Sequence, residues 1–174
     1  MITSIKDEGF VLKKKVLLNK DVLLTLFTKH EGKVLATAKG ASDIKSRRLS
    51  AFMTGNLVKV VLRRSSDRYY LQETQIVSLF TSIKKDENKQ RIFYFFLFIL
   101  DALLPEGQSE ISLYSLLQKI LIRLTRDAMS KNEIMVSLKE VLSKLGYGSE
   151  MVIWSDVRVK LQEIIGKKIP DYII

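Results

Sequence analysis

The sequence predicts an α+β chain in which a five-stranded β-barrel precedes an all-α helical domain. Three observations carry that expectation. Residues 1–80 break into five short runs rich in β-branched and aromatic residues, separated by turn residues at close spacing. Residues 81–174 change to apolar side chains recurring at helical spacing. The charge divides at the same place. Of a net +10, residues 1–80 hold 15 Lys and Arg against 7 Asp and Glu, a net of +8, which leaves +2 for the remainder. A length of 174 residues accommodates two small domains, 1–80 and 81–174.

The first strand is expected over Gly9–Leu18, around Lys13, Lys14 and Lys15. Asn19-Lys20-Asp21 makes a turn into a second, apolar strand, Val22–Thr28. His30-Glu31-Gly32-Lys33 reads as a hairpin loop in which Gly32 is free to take positive φ. Val34, Ala36 and Ala38 then alternate with Leu35, Thr37 and Lys39 until Gly40 ends the strand. Leu57–Leu62 is the fourth, with Val58, Val60 and Leu62 on one face, and Ser65-Ser66-Asp67 turns the chain into the fifth, Tyr69–Val77. A sheet this small protects its edges best by closing on itself.

Between strands three and four lies Ala41–Gly55, which carries Lys45, Arg47 and Arg48 and little that would pack. Five-stranded oligonucleotide-binding (OB) barrels often place a helix in that connection, so the first domain is expected to be an OB fold. Lys39 precedes the loop, and Arg63, Arg64 and Arg68 follow the fourth strand. With Lys14, these cations would line a groove that tracks phosphates, and Tyr69, Tyr70 or Phe52 could stack on bases. The basic excess points to a polyanionic partner, nucleic acid or an anionic membrane surface.

In the second half, Gln90–Leu104 is apolar on nearly every face, as in a helix surrounded by others, and Pro105-Glu106-Gly107 stops it. Leu113, Leu116, Leu117, Ile120, Leu121 and Leu124 mark an amphipathic helix. Ser130-Lys131-Asn132-Glu133 has the form of a capping box opening a third helix through Leu145, closed by Gly146. Ser155 is expected to cap a fourth, with Trp154 packing at its start, and Ile169–Ile174 to dock rather than fray. Four helices with short connections make a bundle.

Several chemistries are excluded. A chain without cysteine forms no disulfide, thiol nucleophile or thiolate metal site, and one histidine, His30, cannot build a multi-histidine centre. There is no Gly-x-Ser-x-Gly elbow and no Gly-rich phosphate loop. His30 sits in a polar turn without a nearby nucleophile and reads as solvated or touching phosphate; Asp86-Glu87 reads as compensation of a helix dipole. No enzyme, cofactor or metal is expected. Met1 opens no signal-peptide pattern, and the longest apolar run, Ile92–Leu100, falls short of the ~20 residues a membrane helix needs, so a cytoplasmic, nucleoid-associated chain is expected.

Several segments in order resemble the bacterial RecO recombination-mediator family: Gly9-Phe10-Val11-Leu12, Asp21 followed by Leu23-Leu24-Thr25-Leu26-Phe27-Thr28, Gly32-Lys33, Ala38-Lys39-Gly40-Ala41, Lys45-Ser46-Arg47 and Tyr70-Leu71. The match extends, more patchily, to Leu100-Asp101-Ala102-Leu103-Leu104-Pro105-Glu106-Gly107 and Leu145-Gly146-Tyr147. The resemblance implies an N-terminal OB fold and a helical C-terminal domain. It implies a non-enzymatic protein that binds single- and double-stranded DNA, anneals strands, and loads recombinase with RecR onto strands coated by single-stranded DNA-binding protein. By similarity, Lys39, Lys45 and Arg47 carry DNA contact. Many members add a cysteine-ligated zinc module after the Leu-Gly-Tyr-like segment; a sequence without cysteine resembles a short form lacking it.

Two other classes compete with that reading. The helical half could be an adaptor whose Lys119, Arg123 and Arg126, spaced four and three apart, rim a groove for the acidic C-terminal tail of single-stranded DNA-binding protein. The barrel could instead bind RNA, since a fold does not choose between nucleic acids.

Overall fold

The computed structural model describes residues 3–41, 49–148 and 154–169. It divides into two compact units, one of Met1–Phe80 with Pro105–Tyr114 and one of Thr81–Leu104 with Ser115–Ile174.

In the first unit, β1 (Thr3–Val16) is long enough to pair twice. Its first part runs antiparallel to β4 (Leu57–Ser65) and its second part antiparallel to β2 (Val22–Thr28). β3 (Gly32–Ala38) follows β2 as a hairpin, and β5 (Arg68–Ser78) runs antiparallel to β4. Two parallel pairs, Ala36 with Tyr69 and Thr37 with Tyr70, close the ring in the order β1-β2-β3-β5-β4. The expected alternation holds in β3 and β4: Val34, Ala36, Ala38, Val58, Val60 and Leu62 are buried in the barrel core with Val11, Leu24 and Leu26.

Three features depart from the sequence reading. β1 begins at Thr3, six residues before Gly9. Lys6-Asp7-Glu8 are poor strand formers, yet the Asp7 carboxylate is fully buried and accepts the backbone N–H groups of Glu8, His30 and Glu31 at 2.8, 3.0 and 3.2 Å. It also lies 2.9 Å from His30 Nδ1, so the lone histidine joins a structural cluster while staying partly exposed. Burial alone would push the Asp7 carboxyl up; these hydrogen bonds outweigh it and hold the acid below its ordinary 3.8. A depressed carboxylate stabilises the fold above its unfolded pKa, and that contribution is lost as pH falls below 3.8 toward the folded value. Asp7→Ala should cost about 2 kcal/mol or more, since it strands buried donors. Urea midpoints followed across pH 2–7 should show a weaker acid dependence in the variant; parallel profiles would show that Asp7 does not carry it.

The second departure lies in the connection Ala41–Gly55, whose described residues pack on the barrel. Ala41, Ala51 and Phe52 belong to the barrel core, and Phe52 is fully buried, which removes it as a base-stacking residue. Residues 49–55 form turns rather than a helix; the remainder, with Lys45, Arg47 and Arg48, lies outside the described residues. Third, Pro105–Tyr114 returns to the barrel. Gly107 N–H donates to Lys33 O at 2.9 Å, and Lys33 bridges Glu106 in parallel. Tyr114 packs on Phe10 and Phe27 at 5.3 and 5.6 Å and donates its hydroxyl to Glu8 Oε1 at 3.0 Å. Burial, then the Glu8 charge and hydrogen bond, push that phenol far up.

The second unit is helical. After the single turn α1 (Thr81–Lys84), α2 (Glu87–Leu103) is capped by Asp86, whose side chain accepts Lys89 N–H. α3 (Ile111–Arg126) follows the expected leucine pattern, its first turn belonging to the barrel unit. α4 (Lys131–Lys144) opens on the Ser130–Glu133 capping box, with both reciprocal bonds formed. α5 (Trp154–Ile165) begins one residue ahead of Ser155, which lies inside its first turn. Buried residues come from all four longer helices, among them Phe96, Leu121, Leu142 and Leu161. Ile169 is buried; residues 170–174 and the Trp154 side chain lie outside the described residues. No described helix is long and apolar enough to cross a membrane.

Candidate nucleic-acid interface

The outer face of the barrel follows from its register, because directly paired residues on neighbouring strands project to the same side. Lys15 pairs with Leu23, Leu23 with Thr37, Thr37 with Tyr70, and Tyr70 with Arg63. One row of side chains therefore crosses all five strands, about 19 Å at 4.8 Å per strand spacing. A neighbouring row holds Lys13, Thr25 and Leu35. Arg68 lies two residues before Tyr70 on β5, and Lys39 two after Thr37 at the end of β3, so both extend this face.

Tyr70 is its centre. Lys39 Nζ lies 5.3 Å from the ring centroid and Arg63 Cζ 5.4 Å, so two cations lie against the ring. Tyr69 has a different part. It packs against the barrel core, Arg64 Cζ lies 5.6 Å from its ring, and its hydroxyl donates to Glu31 Oε2 at 3.0 Å. Desolvation and that bond raise its pKa. Of the three aromatics named from sequence, Tyr70 alone presents a ring to the outer face.

Beside the row lies a cleft of about 650 Å³ lined by Leu23, Leu35, Thr37 and Tyr70. Its polar lining is mixed: Lys33, Lys39, Arg64 and Arg68 stand with Asp21, Glu31, Asp67 and Glu106. Sequence reasoning missed this acidic share, because Asp21, Glu31 and Glu106 come from separate loops. Two of these acids have structural partners, Glu31 with Tyr69 and Asp21 with Gly40 N–H at 2.8 Å. Lys13, Lys15 and Arg63 lie outside the cleft lining.

Lys14 stands on the other face. Its register partner is Leu24, a core residue, and its Nζ lies 3.6 Å from Met53 Sδ. The outward cations there are Lys13 and Lys15, which sequence reasoning did not select. In the second unit, Lys119 and Arg126 are exposed on α3, while Arg123 is engaged by Glu133 on α4, Nη2 to Oε1 2.7 Å. Ser130 first, and then Arg123, hold the Glu133 carboxyl below its ordinary value. No group of three or more metal-binding side chains occurs among the described residues.

A closed five-stranded barrel in the order 1-2-3-5-4, its third and fifth strands parallel, is an OB fold. Residues 1–80 match the family model "Recombination protein O N terminal". The chain is 31% identical over 130 residues to the DNA repair protein RecO of Alkaliphilus metalliredigens, covering 75% of this chain and 51% of that protein. With RecO of Clostridium novyi it shares 30% identity over 145 residues, 82% of this chain and 56% of that one. With RecO of Caldanaerobacter subterraneus the figures are 33% over 110 residues, 63% and 44%. Through its OB-fold domain the chain belongs to the RecO family, and it spans about half the length of the curated relatives it matches.

Proposed function

We propose that this protein is a non-enzymatic recombination mediator in DNA repair, with residues 1–80 as the DNA-binding domain and 81–174 as a helical domain for protein partners. The row Lys15–Leu23–Thr37–Tyr70–Arg63 is the observation that carries the reading. It alternates what a single strand needs: cations at both ends for phosphates, an aromatic ring for a base, and short apolar and hydroxyl side chains that let the strand lie close. Lys39 and Arg68 extend the cationic track, and Lys45, Arg47 and Arg48 belong to the same connection by sequence. Lys14 and Arg64 are left out of the contact set. Annealing follows from the same electrostatics, since neutralising two polyanions on one basic surface lets complementary strands meet. RecR and the acidic tail of single-stranded DNA-binding protein are the partners the family implies, with Lys119 and Arg126 the exposed cations on α3 for such a tail.

The test is fluorescence anisotropy of a labelled single strand across a salt series, followed by an annealing assay in the same buffer. Binding should weaken steeply with salt, and annealing should be accelerated. Tyr70→Ala should cost about 1–3 kcal/mol of single-strand affinity, while Tyr70→Phe, which keeps the ring, should bind nearly as the parent does. Equal losses in both variants would mean that the hydroxyl, not stacking, matters. No salt-dependent binding at all would sink the reading.

A further inference from the structure

One edge of β5 is left unpaired. The strand pairs with β4 from Arg68 to Ser78 but with β3 only at Tyr69 and Tyr70, and beyond Tyr70 no described strand pairs with it on that side. Register shifts make Gln72 and Val77 extra residues, so the regular stretch between the two bulges is Glu73–Ile76, about 14 Å long at 3.4 Å per residue. In a strand paired on one side, every second residue points its N–H and C=O to the other. Gln72, Glu73, Gln75, Ile76 and Val77 are exposed, so solvent reaches this edge. Natural sheets blunt such an edge with lysine or proline. From Tyr69 to Ser78, β5 has neither, and its single charge there is Glu73. What a free edge recognises is main chain: an extended peptide adds to it as one more strand.

The charge beside the edge selects the peptide. A cleft of about 440 Å³ reaches from Glu73–Gln75 across β4 to β1 and the β2–β3 turn, and it holds three lysines, Lys6, Lys29 and Lys59, with three acids. Asp7 is engaged by the N–H groups it accepts, and Glu8 by the Tyr114 hydroxyl. None of the three lysines has an ion pair among the described residues. Unengaged lysines therefore outnumber the one unengaged acid, Glu73, in a domain of net +8. Lys59 pairs with Gln75, and Lys6 with Val61, whose β5 partner is Glu73, so both stand on rows that an added strand would continue. A second copy of this chain would bring a further net +10 to the edge and is repelled, whereas an acidic strand is attracted.

We infer that the free edge of β5 takes up an acidic, extended peptide segment of a partner protein as an additional strand, drawn in by Lys6, Lys29 and Lys59. The site shares no residue with the Tyr70 row and gives the barrel a protein partner of its own. The probe is a short blocked peptide alternating glutamate and valine, added to the full chain and followed by amide hydrogen exchange. Binding should slow exchange about tenfold or more at alternate amides between Glu73 and Val77, the mark of new main-chain bonds. The same peptide N-methylated at every residue keeps its side chains and charge but loses its main-chain donors, and it should bind about tenfold more weakly or worse. Lys6→Glu with Lys59→Glu should weaken binding of the parent peptide about tenfold, and a lysine–valine counterpart should not bind. Both lysines are exposed, so their variant tests charge without testing the fold. No binding of the glutamate–valine peptide, or binding without protection along β5, overturns the inference. So does equal binding by the N-methylated peptide, or an unchanged affinity in the lysine variant. Each of these results leaves the DNA reading of the Tyr70 row standing.

Discussion

Gly32→Ala is expected to lower stability by roughly 2–5 kcal/mol, combining a left-handed backbone cost of about 1–2 kcal/mol with an overpacking cost of about 1–3 kcal/mol. Gly32 opens β3 with φ +71, and a Cβ added there would lie 1.8 Å from Gln108 O and 2.5 Å from the Gln108 carbonyl carbon. Those are backbone atoms, which cannot swing aside as a side-chain end does. The segment they belong to is held by Gly107 N–H to Lys33 O and carries Tyr114 onto Phe10 and Phe27, so its displacement disturbs the whole cluster. Gly40→Ala is the control. Gly40 has φ +60 but nothing within 4 Å of an added Cβ, so only the backbone cost applies. Urea midpoints should separate the two by 1 kcal/mol or more, about the least that overpacking costs. Equal losses would mean that the 105–114 segment yields freely.

Reversing Lys39, Arg63 and Arg68 together to Glu should reduce single-strand affinity about 10²–10³-fold at moderate salt. Losing three phosphate contacts at about 0.7 per contact should flatten the slope of log K against log salt by roughly 2. Lys14→Glu, read beside a single Arg63→Glu, supplies the discriminating comparison. Both invert one charge in the same domain, but Lys14 faces Met53 and the core side, whereas Arg63 lies over Tyr70. Arg63→Glu should weaken binding several-fold and Lys14→Glu should not. Similar losses would show that net charge, not the outer face, governs affinity. Lys39 and Arg68 are exposed while Lys14 and Arg63 are half-buried, so far-ultraviolet circular dichroism should accompany each variant to show an unchanged fold.

Much of this molecule was legible before any coordinates. Turn chemistry at Asn19-Lys20-Asp21 and Ser65-Ser66-Asp67, period-two alternation in Val34–Lys39 and Leu57–Leu62, and the Leu113–Leu124 stripe each act within a few residues. The Ser130–Glu133 capping box is equally local and forms as read. Length, charge asymmetry and these elements were enough to place a barrel ahead of helices.

What only the tertiary structure decided has one physical source, pairing between residues far apart in the chain. Thr3–Glu8 is a strand because β4 pairs with it and because Asp7 reaches donors more than twenty residues away. Phe52 is core because the barrel has room for it, which no local pattern announces. The lysine run shows the point most sharply. Straight alternation from buried Val11 would turn Lys14 outward and Lys13 and Lys15 inward. The register shifts between Val11 and Lys13, leaving Leu12 as the extra residue, and that bulge reverses the parity. A side-chain period of two makes the facing of every later residue hostage to one insertion, so three consecutive lysines have no face until the partner strand assigns one.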